Sequence, residues 1–298
     1  MTDDLLPRLP DESFQRVLCV AAHPDDLEYG ISGAVSIWTA RGVNVRYLML
    51  TRGEAGIDGM DPDETREVRT ADEVAAAEVV GVEGVDFLDL ADGELEYGLP
   101  IRRDIAAAIR RYRPDTVVVG TWELASPWGL NHADHRVAGL ATVDAIRDAG
   151  NRWVFRDLVA AGLEPWSVRR LLISGDSEPT HGMVLDADTL KRAVASLEAH
   201  AGYLAALPWH PPAEDTIQWV SSMGGTAMGV PNAATFRLWQ MSQDSDAEPT
   251  TAEPSPQASA GATDAQFENA PIGLLEDDET IPPRPEEELA DLERSDPA

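Results

Sequence analysis

The sequence predicts an α/β fold in which a Rossmann-like, mostly parallel sheet is flanked by helices. Two features carry this prediction: short β-branched and aliphatic runs, and stretches of helical periodicity that alternate with them. Strands that alternate with helices of ten or more residues form βαβ units, and the strands of such units lie parallel in one sheet. With 298 residues and 43% hydrophobic content, the chain is long enough for one large domain, which we expect over residues 14–242.

The predicted elements follow one another in a regular order. Strands are expected at 17–22, 44–50, 85–90, 116–120 and 170–174, with helices at 32–41, 64–80, 100–112 and 135–149. In the third helix, Ile101, Ile105 and Ile109 share one face, and Pro100 and Pro114 mark its ends. After residue 174 the pattern predicts a strand at 182–185, a helix at 187–207 and a last strand near 234–239.

The two ends of the chain differ in composition from this middle part. Residues 1–13 are predicted to be a flexible leader. Residues 243–298 hold 16 Asp or Glu against two Arg, together with eight of the 21 prolines. So little apolar surface with so much charge cannot offset the entropy of an ordered chain. We expect a disordered acidic tail that solubilises the protein. Recruitment of a partner by this tail stays open as an alternative.

Charge and cysteine content exclude several classes of function. A formal net charge of −30 disfavours nucleic acid or an anionic membrane as partner, because like charges repel. The single cysteine, Cys19, excludes a disulfide framework and a cysteine-built metal site. No signal peptide is visible near the N-terminus, where the longest apolar run, 17–22, is far too short for a membrane span. We expect a soluble, cytoplasmic protein.

Histidines and carboxylates cluster directly after the first and fourth predicted strands. The first cluster is His23-Pro24-Asp25-Asp26, followed by Glu28, and the second is His132-Ala133-Asp134-His135. In doubly wound sheets, ligands bind beyond the carboxyl ends of the strands, so both clusters are expected at one rim. Each cluster alone is open to a simpler interpretation, in which His and Asp cap helices, as Asp134 is suited to do.

Together, the two clusters fit a catalytic metal site. Two imidazoles and a carboxylate, from His23, Asp26 and His135, suit zinc with an open position for water. Asp25 is then free to take a proton from that water, since zinc lowers the pKa of bound water towards ~7. His132 would face the substrate, and Asp134 would fix its tautomer or its charge.

These paired motifs resemble the two signatures of the LmbE-like, or PIG-L, family of zinc-dependent N-acetylglucosaminyl deacetylases, over about residues 16–240. The resemblance implies zinc on His23, Asp26 and His135, Asp25 as the base, and His132 as the electrophile or acid, oriented by Asp134. The activity that it implies is hydrolysis of an N-acyl group, acetyl in the first instance, from a small amino-sugar conjugate. One departure is Leu27, which separates Glu28 from the two aspartates, whereas many members have glutamate directly after them.

Four further residues are predicted to bind the substrate, and the resemblance implies sugar contacts for Arg69 and Asp92. Glu54 lies in a Gly-Glu loop at 51–56, Arg69 lies early in the next helix, and Asp92 follows the third strand. His181 is expected at the mouth of the pocket, whereas His200 and His210 are predicted to be structural.

Several alternatives stay open at this stage. An amidase acting on a mycothiol-type thiol conjugate would use the same site, and Fe²⁺ would fit it as well as Zn²⁺. A non-haem Fe(II) oxygenase also uses two histidines and a carboxylate, but its usual β-barrel does not match alternating strands and helices. A non-catalytic binding protein would not need every motif carboxylate. The sequence also leaves a homo-oligomer open.

Overall fold

A computed structural model describes residues 5–242. Within this range the chain folds around a seven-stranded sheet, which confirms the predicted fold class. The strands are β1 Arg16–Ala21, β2 Asn44–Met49, β3 Gly84–Phe87, β4 Thr116–Gly120, β5 Ala125–Ser126, β6 Gly129–Leu130, β7 Arg170–Ser174, β8 His181–Val184 and β9 Ala233–Gln240. The helices are α1 Asp26–Gly30, α2 Ser32–Ala40, α3 Pro62–Val79, α4 Leu99–Tyr112, α5 Ala133–Ala149, α6 Arg156–Ala160, α7 Ala187–Glu198, α8 Ala201–Ala206 and α9 Ala213–Met228.

The strand order in the large sheet is β3-β2-β1-β4-β7-β9-β8, and β5 and β6 form a separate two-stranded hairpin. The first five strands of that order are parallel, and β9 pairs antiparallel with both β7 and β8. The chain runs outward from β1 to β3 on one side and then continues with β4 on the other side. The order therefore reverses between β1 and β4, and this switch point opens the crevice in which α/β proteins bind ligands.

The sheet is covered by helices on both faces, as a parallel sheet requires. On one face, α4 and α5 pack over a core that includes Leu18, Val20, Ile105 and Val117, all fully buried. On the other face, α2 covers residues such as Cys19 and Tyr47. Alternate residues of β1 thus face opposite cores, which fixes the register of the central strand.

The helical prediction over 187–207 is wrong at one point, where the chain breaks into α7 and α8. His200 occupies the N-cap position of α8 and its side chain is fully buried. The backbone leaves helical geometry at this residue, where ψ is 47°. In addition, α9 is not predicted from the sequence, because Gly224 and Gly225 interrupt its apolar pattern. A Cβ at Gly224 would lie 2.2 Å from the carbonyl oxygen of Ala233, so glycine is what lets α9 approach β9.

The prediction of a flexible leader is wrong for residues 5–13. The Leu9 side chain is buried, and its N–H donates to the Gly182 carbonyl over 2.8 Å. Asp11 is fully buried, accepts a hydrogen bond from the Trp38 indole at 3.0 Å and pairs with Arg41 at 2.9 Å. The buried Leu9 side chain and the paired Asp11 carboxylate therefore hold this segment to the domain.

The predicted disordered tail, residues 243–298, lies outside the described residues. Within residues 5–242, no helix has the length and apolar character that crossing a bilayer would require.

Candidate metal centre and active site

The two histidine clusters meet at the switch point of the sheet. His23 lies two residues beyond the end of β1, and Asn131, His132 and His135 lie where the chain enters α5 after β4. Because β1 and β4 are neighbours, their carboxyl ends bring these segments together. The ring centroids of His23, His132 and His135 lie 5.2 to 5.4 Å from one another.

His23 is surrounded by carboxylates. Its Nε2 lies 3.0 Å from Asp92 Oδ1 and 3.1 Å from Asp134 Oδ2, and its Nδ1 lies 3.6 Å from Asp26 Oδ2. The same Asp26 oxygen accepts a hydrogen bond of 2.9 Å from the His23 backbone N–H. Burial on its own lowers the pKa of His23, but the hydrogen bonds to Asp134, Asp26 and Asp92 override this effect and raise it to about 12. This environment strongly favours a positive charge.

His135 completes a bridge through Asp26. Its Nε2 lies 3.0 Å from Asp26 Oδ1, while its Nδ1 lies 3.0 Å from Asn131 Oδ1. Asn131 is itself anchored, because its Nδ2 donates to the Thr121 carbonyl over 2.7 Å. This orienting role of Asn131 was not predicted, although its place one helical turn before His135 is the spacing at which the two side chains meet.

His132 is the N-cap residue of α5 and remains exposed. Its Nδ1 accepts a hydrogen bond of 3.3 Å from the backbone N–H of Asp134. A ring nitrogen that accepts carries no proton, so the neutral ring carries its proton on Nε2. His132 therefore has a donor available for a substrate oxygen.

The structure corrects the role predicted for the Asp134 carboxylate. Instead of orienting His132, this side chain lies against His23, and it accepts hydrogen bonds from the backbone of Gly93 at 2.8 Å and of Leu95 at 3.2 Å. Asp134 is fully buried, and its hydrogen bond to the His132 ring comes from its backbone N–H. Asp134 thus orients His23.

The donor set of this site fits a divalent cation. His23, His132 and His135 each place a ring nitrogen so that the three lie within 4.8 Å of one another. Asp26 contacts two of these histidines, and its pKa is held well below the usual range by His135 and His23 in spite of burial. The predicted set of His23, Asp26 and His135 is therefore brought together, and the structure adds His132 beside it. Imidazole and carboxylate donors are those of catalytic zinc sites.

Asp25 lies next to this group but is held differently. Its carboxylate pairs with Arg69 at 3.1 Å, and its backbone adopts the left-handed conformation, with a φ of 89°. Burial, together with the charge of Asp26, raises the pKa of Asp25 to about 6, although Arg69 opposes the shift. A carboxylate with a raised pKa is a stronger base than an exposed one.

The structure places the four residues predicted to bind the sugar in different surroundings, and not all of them lie at the histidine cluster. Asp92 contacts His23 and accepts a hydrogen bond of 2.8 Å from Ala55 N–H, and Glu54 accepts one of 3.2 Å from Asp92 N–H. Arg69 is only 3% exposed and donates to the carbonyls of Pro24 and Gly53, so the protein itself uses this guanidinium. His181 lies on β8, four strands from β1 and hence roughly 19 Å across the sheet at strand spacing, away from the cluster.

Sequence reasoning did not identify a second, buried cluster beneath Asp25. Glu28, Glu73 and His200 are at most 1% exposed, and their ligand atoms lie within 4.8 Å of one another. His200 Nε2 lies 3.4 Å from Glu28 Oε2 and 3.7 Å from Glu73 Oε2. No local sequence motif connects these three residues, because they come from α1, α3 and the junction between α7 and α8.

The chain is similar in sequence to proteins that are named as deacetylases. The chain is 35% identical over 164 residues to the diacetylchitobiose deacetylase of Thermococcus kodakarensis. This alignment covers 54% of this chain and 60% of that protein. It is 31% identical over 193 residues to the 1D-myo-inositol 2-acetamido-2-deoxy-alpha-D-glucopyranoside deacetylase of Kineococcus radiotolerans, covering 53% of this chain and 51% of that protein. The chain thus spans between half and three fifths of the length of these relatives.

A solved structure shares the fold over most of its length. The N,N'-diacetylchitobiose deacetylase from Pyrococcus horikoshii superimposes with a TM-score of 0.71 at 23% identity, covering 78% of this chain and 86% of that chain. Residues 18–146, which contain both histidine motifs, match the family described as PIG-L: GlcNAc-PI de-N-acetylase. Over residues 18–146, this chain therefore resembles the PIG-L family.

Proposed function

We propose that the protein is a metal-dependent hydrolase that removes an N-acyl group, acetyl in the first instance, from an amino-sugar conjugate. One observation carries the proposal: three histidines from two separate loops converge with Asp26 at the switch point, and a buried carboxylate, Asp25, lies beside them. The names of both relatives support the substrate class, since each describes deacetylation of an N-acetylated amino sugar.

In this proposal His23, Asp26 and His135 hold the ion, with zinc as the first candidate and Fe²⁺ as the second. When bound, the cation supplies a Lewis acid for the amide carbonyl and lowers the pKa of a nearby water molecule. Asp92 and Asp134 hold His23, and Asn131 holds His135, so both imidazoles are oriented by groups behind them.

Asp25 is the general base. It takes a proton from the water whose oxygen attacks the amide carbon, and this proton then passes to the nitrogen of the leaving amine. The bond between carbon and nitrogen breaks, which releases the free amino sugar and a carboxylate. The raised pKa of Asp25 suits both halves of this transfer, because the group is basic enough to accept a proton and acidic enough to return it.

His132 stabilises the charge that develops on the carbonyl oxygen. With Nδ1 accepting from the backbone, its proton is on Nε2, the nitrogen that can donate to substrate. Glu54 and Asp92 lie beside the site and are proposed to contact sugar hydroxyls. Arg69 pairs with Asp25 and does not contact the sugar in this proposal. His181 would contact only a substrate that extends across the sheet to its edge strand.

The test is direct hydrolysis by purified protein of known metal content. Diacetylchitobiose, N-acetylglucosaminyl inositol and a thiol-bearing N-acetylglucosamine conjugate are incubated with it, and free amine and acetate are quantified. We expect equal amounts of amine and acetate from at least one substrate, with loss of both in Asp25→Asn and retention in Asp58→Asn, a change at an exposed aspartate. Absence of amine release from all three by fully metal-loaded protein would overturn the proposal.

A further inference from the structure

Asp25 has a backbone conformation that few residues other than glycine adopt. Its φ of 89° and ψ of −23° lie in the left-handed region, and only three other non-glycine residues of the described chain have positive φ. Such a conformation costs free energy and persists only where the surroundings hold it. Contacts from neighbouring residues therefore have to hold Asp25 in this conformation.

Helix α3 holds Asp25 at both its backbone and its side chain. Glu73 Oε2 accepts a hydrogen bond of 3.1 Å from the Asp25 backbone N–H, and the Arg69 guanidinium lies 3.1 Å from the Asp25 carboxylate. Arg69 and Glu73 are four residues apart and therefore lie on one face of the helix. Arg69 is further fixed by the ring of Tyr203, 3.9 Å from its guanidinium carbon.

Glu73 belongs to the buried cluster with Glu28 and His200. His200 lies between the two carboxylates, and Glu28 belongs to α1, the helix that begins with Asp26. Contacts of this one imidazole thus connect the helix that carries Asp26 with the helix that holds Asp25. His200 comes from outside the 18–146 region that matches the family.

Burying the ionisable groups of this cluster costs free energy of folding. Glu28 Oε2, Glu73 Oε1 and both nitrogens of His200 are buried without a hydrogen-bond partner. Replacing buried ionisable groups by apolar ones of similar volume is often neutral or stabilising. Stability alone therefore does not account for Glu73, whereas its hydrogen bond to Asp25 does.

We propose that Glu73 is a positioning residue that keeps Asp25 in its left-handed conformation. His200 and Glu28 pack against Glu73 and keep its side chain in place. The proposal rests on the proposed function, in which Asp25 is the base. Loss of the Glu73 oxygen would let the turn relax and move the Asp25 carboxylate away from its water.

Three variants at one position test this. Glu73→Leu removes the acceptor, Glu73→Asp keeps the charge but withdraws the oxygen by one methylene, and Glu73→Gln keeps an oxygen in place. We expect Glu73→Leu and Glu73→Asp to lose kcat by on the order of 10²-fold, as misplaced catalytic groups do, with KM and metal content unchanged. Glu73→Gln should recover most of kcat. The control is Glu78→Leu, at an exposed glutamate of the same helix, and it should behave as wild type.

A merely structural role predicts the opposite pattern. In that case kcat would follow thermal stability through the series, and Glu73→Leu, if folded and as stable as wild type, would keep its kcat. That result would overturn the proposal. If Glu73→Leu does not fold, Glu73→Asp decides by the same comparison.

A crystal structure of Glu73→Leu or Glu73→Asp gives a readout that needs no substrate. We expect Asp25 to leave positive φ and its carboxylate to separate from Arg69. Retention of the left-handed conformation and of the Arg69 contact would overturn the proposal even if the protein deacetylates its substrates. Conversely, wild-type protein that hydrolyses none of the substrates would overturn the proposed function, while the crystal structures would still report whether Glu73 holds Asp25.

Discussion

At the scale of single residues, adjacent and chemically identical aspartates have different surroundings. Asp26 lies between two imidazoles, which keep its pKa low, whereas Asp25 is turned towards Arg69 and has a raised pKa. Asp25 has a left-handed backbone, and the carboxylates of these two consecutive residues contact different partners, Arg69 for Asp25 and His135 for Asp26. One carboxylate is thereby suited to bind an ion and the other to exchange protons.

This difference leads to the first prediction. Asp25→Asn should retain about one metal ion per chain and lose on the order of 10²–10⁴-fold in kcat, because a general base is removed. Asp26→Asn should instead weaken metal binding, since a neutral amide is a poor substitute for a charged oxygen ligand. Metal analysis and kcat are measured on the same preparations, and excess zinc should partly restore Asp26→Asn only. If Asp25→Asn were empty and Asp26→Asn loaded, the two roles would be exchanged.

The second prediction concerns pH and Glu28. Burial raises the pKa of this carboxyl to about 8 from an ordinary value of 4.5, and its hydrogen bond with Ser196 opposes the shift only in part. Between these two values the folded state binds more protons than the unfolded state, so stability falls as pH rises. The free energy of unfolding of wild type should therefore drop relative to Glu28→Gln from about pH 4.5 to about pH 8.

Urea denaturation at several pH values measures this difference, with Glu78→Gln as the control at an exposed position. Parallel pH dependence of wild type and Glu28→Gln would show that Glu28 is not the group responsible.

At the scale of elements, the site depends on which strands are neighbours. The loops after β1 and β4 are separated by about a hundred residues of sequence, yet they meet because the strand order reverses between them. Two helices then begin in the site, α1 at Asp26 and α5 just after His132, so their first turns carry Asp26 and His135, two of the three proposed metal ligands. On the far side of the sheet, α9 packs closely on β9, the neighbour of the edge strand β8.

That packing provides the third prediction. Gly224→Ala places a methyl group 2.2 Å from the Ala233 carbonyl oxygen, which belongs to the backbone and cannot rotate away. We expect destabilisation by about 1–3 kcal/mol from overpacking, in spite of the better helix propensity of alanine. Gly59→Ala is the control, since nothing lies within 4 Å of its added Cβ. Equal urea midpoints for the two variants would contradict the close approach of α9 and β9.

At the scale of the whole molecule, the two ends of the chain are expected to differ in their contribution to stability. Residues 5–13 bring Leu9 and Asp11 into the core, whereas residues 243–298 are rich in charge and poor in apolar side chains. The last described contact before the acidic segment is the hydrogen bond of 2.8 Å from Met241 N–H to the Arg169 carbonyl.

The fourth prediction compares the two truncations. Removing everything after Met241 should leave the melting temperature and turnover of small substrates nearly unchanged, because a chain of that composition adds little to a core. Removing residues 1–13 should lower the melting temperature by several degrees, because it leaves Trp38 and Arg41 without Asp11. A large loss on removing the acidic segment would show that this segment contacts the domain.

Patterns in the amino-acid sequence predicted the fold class, most strands and helices, and the two motifs that supply the histidines of the site. They could do so because periodicity and strand-end loops are local signals. The folded chain was needed to show that the Asp134 carboxylate contacts His23 and that Arg69 and Glu73 contact Asp25. It also shows that His200 lies between two carboxylates at a break between helices. These contacts join residues from separate elements, and a buried charge has no periodicity of its own. The partner of a buried charged side chain depends on which helices pack against each other, and this packing forms only when the whole sheet is assembled.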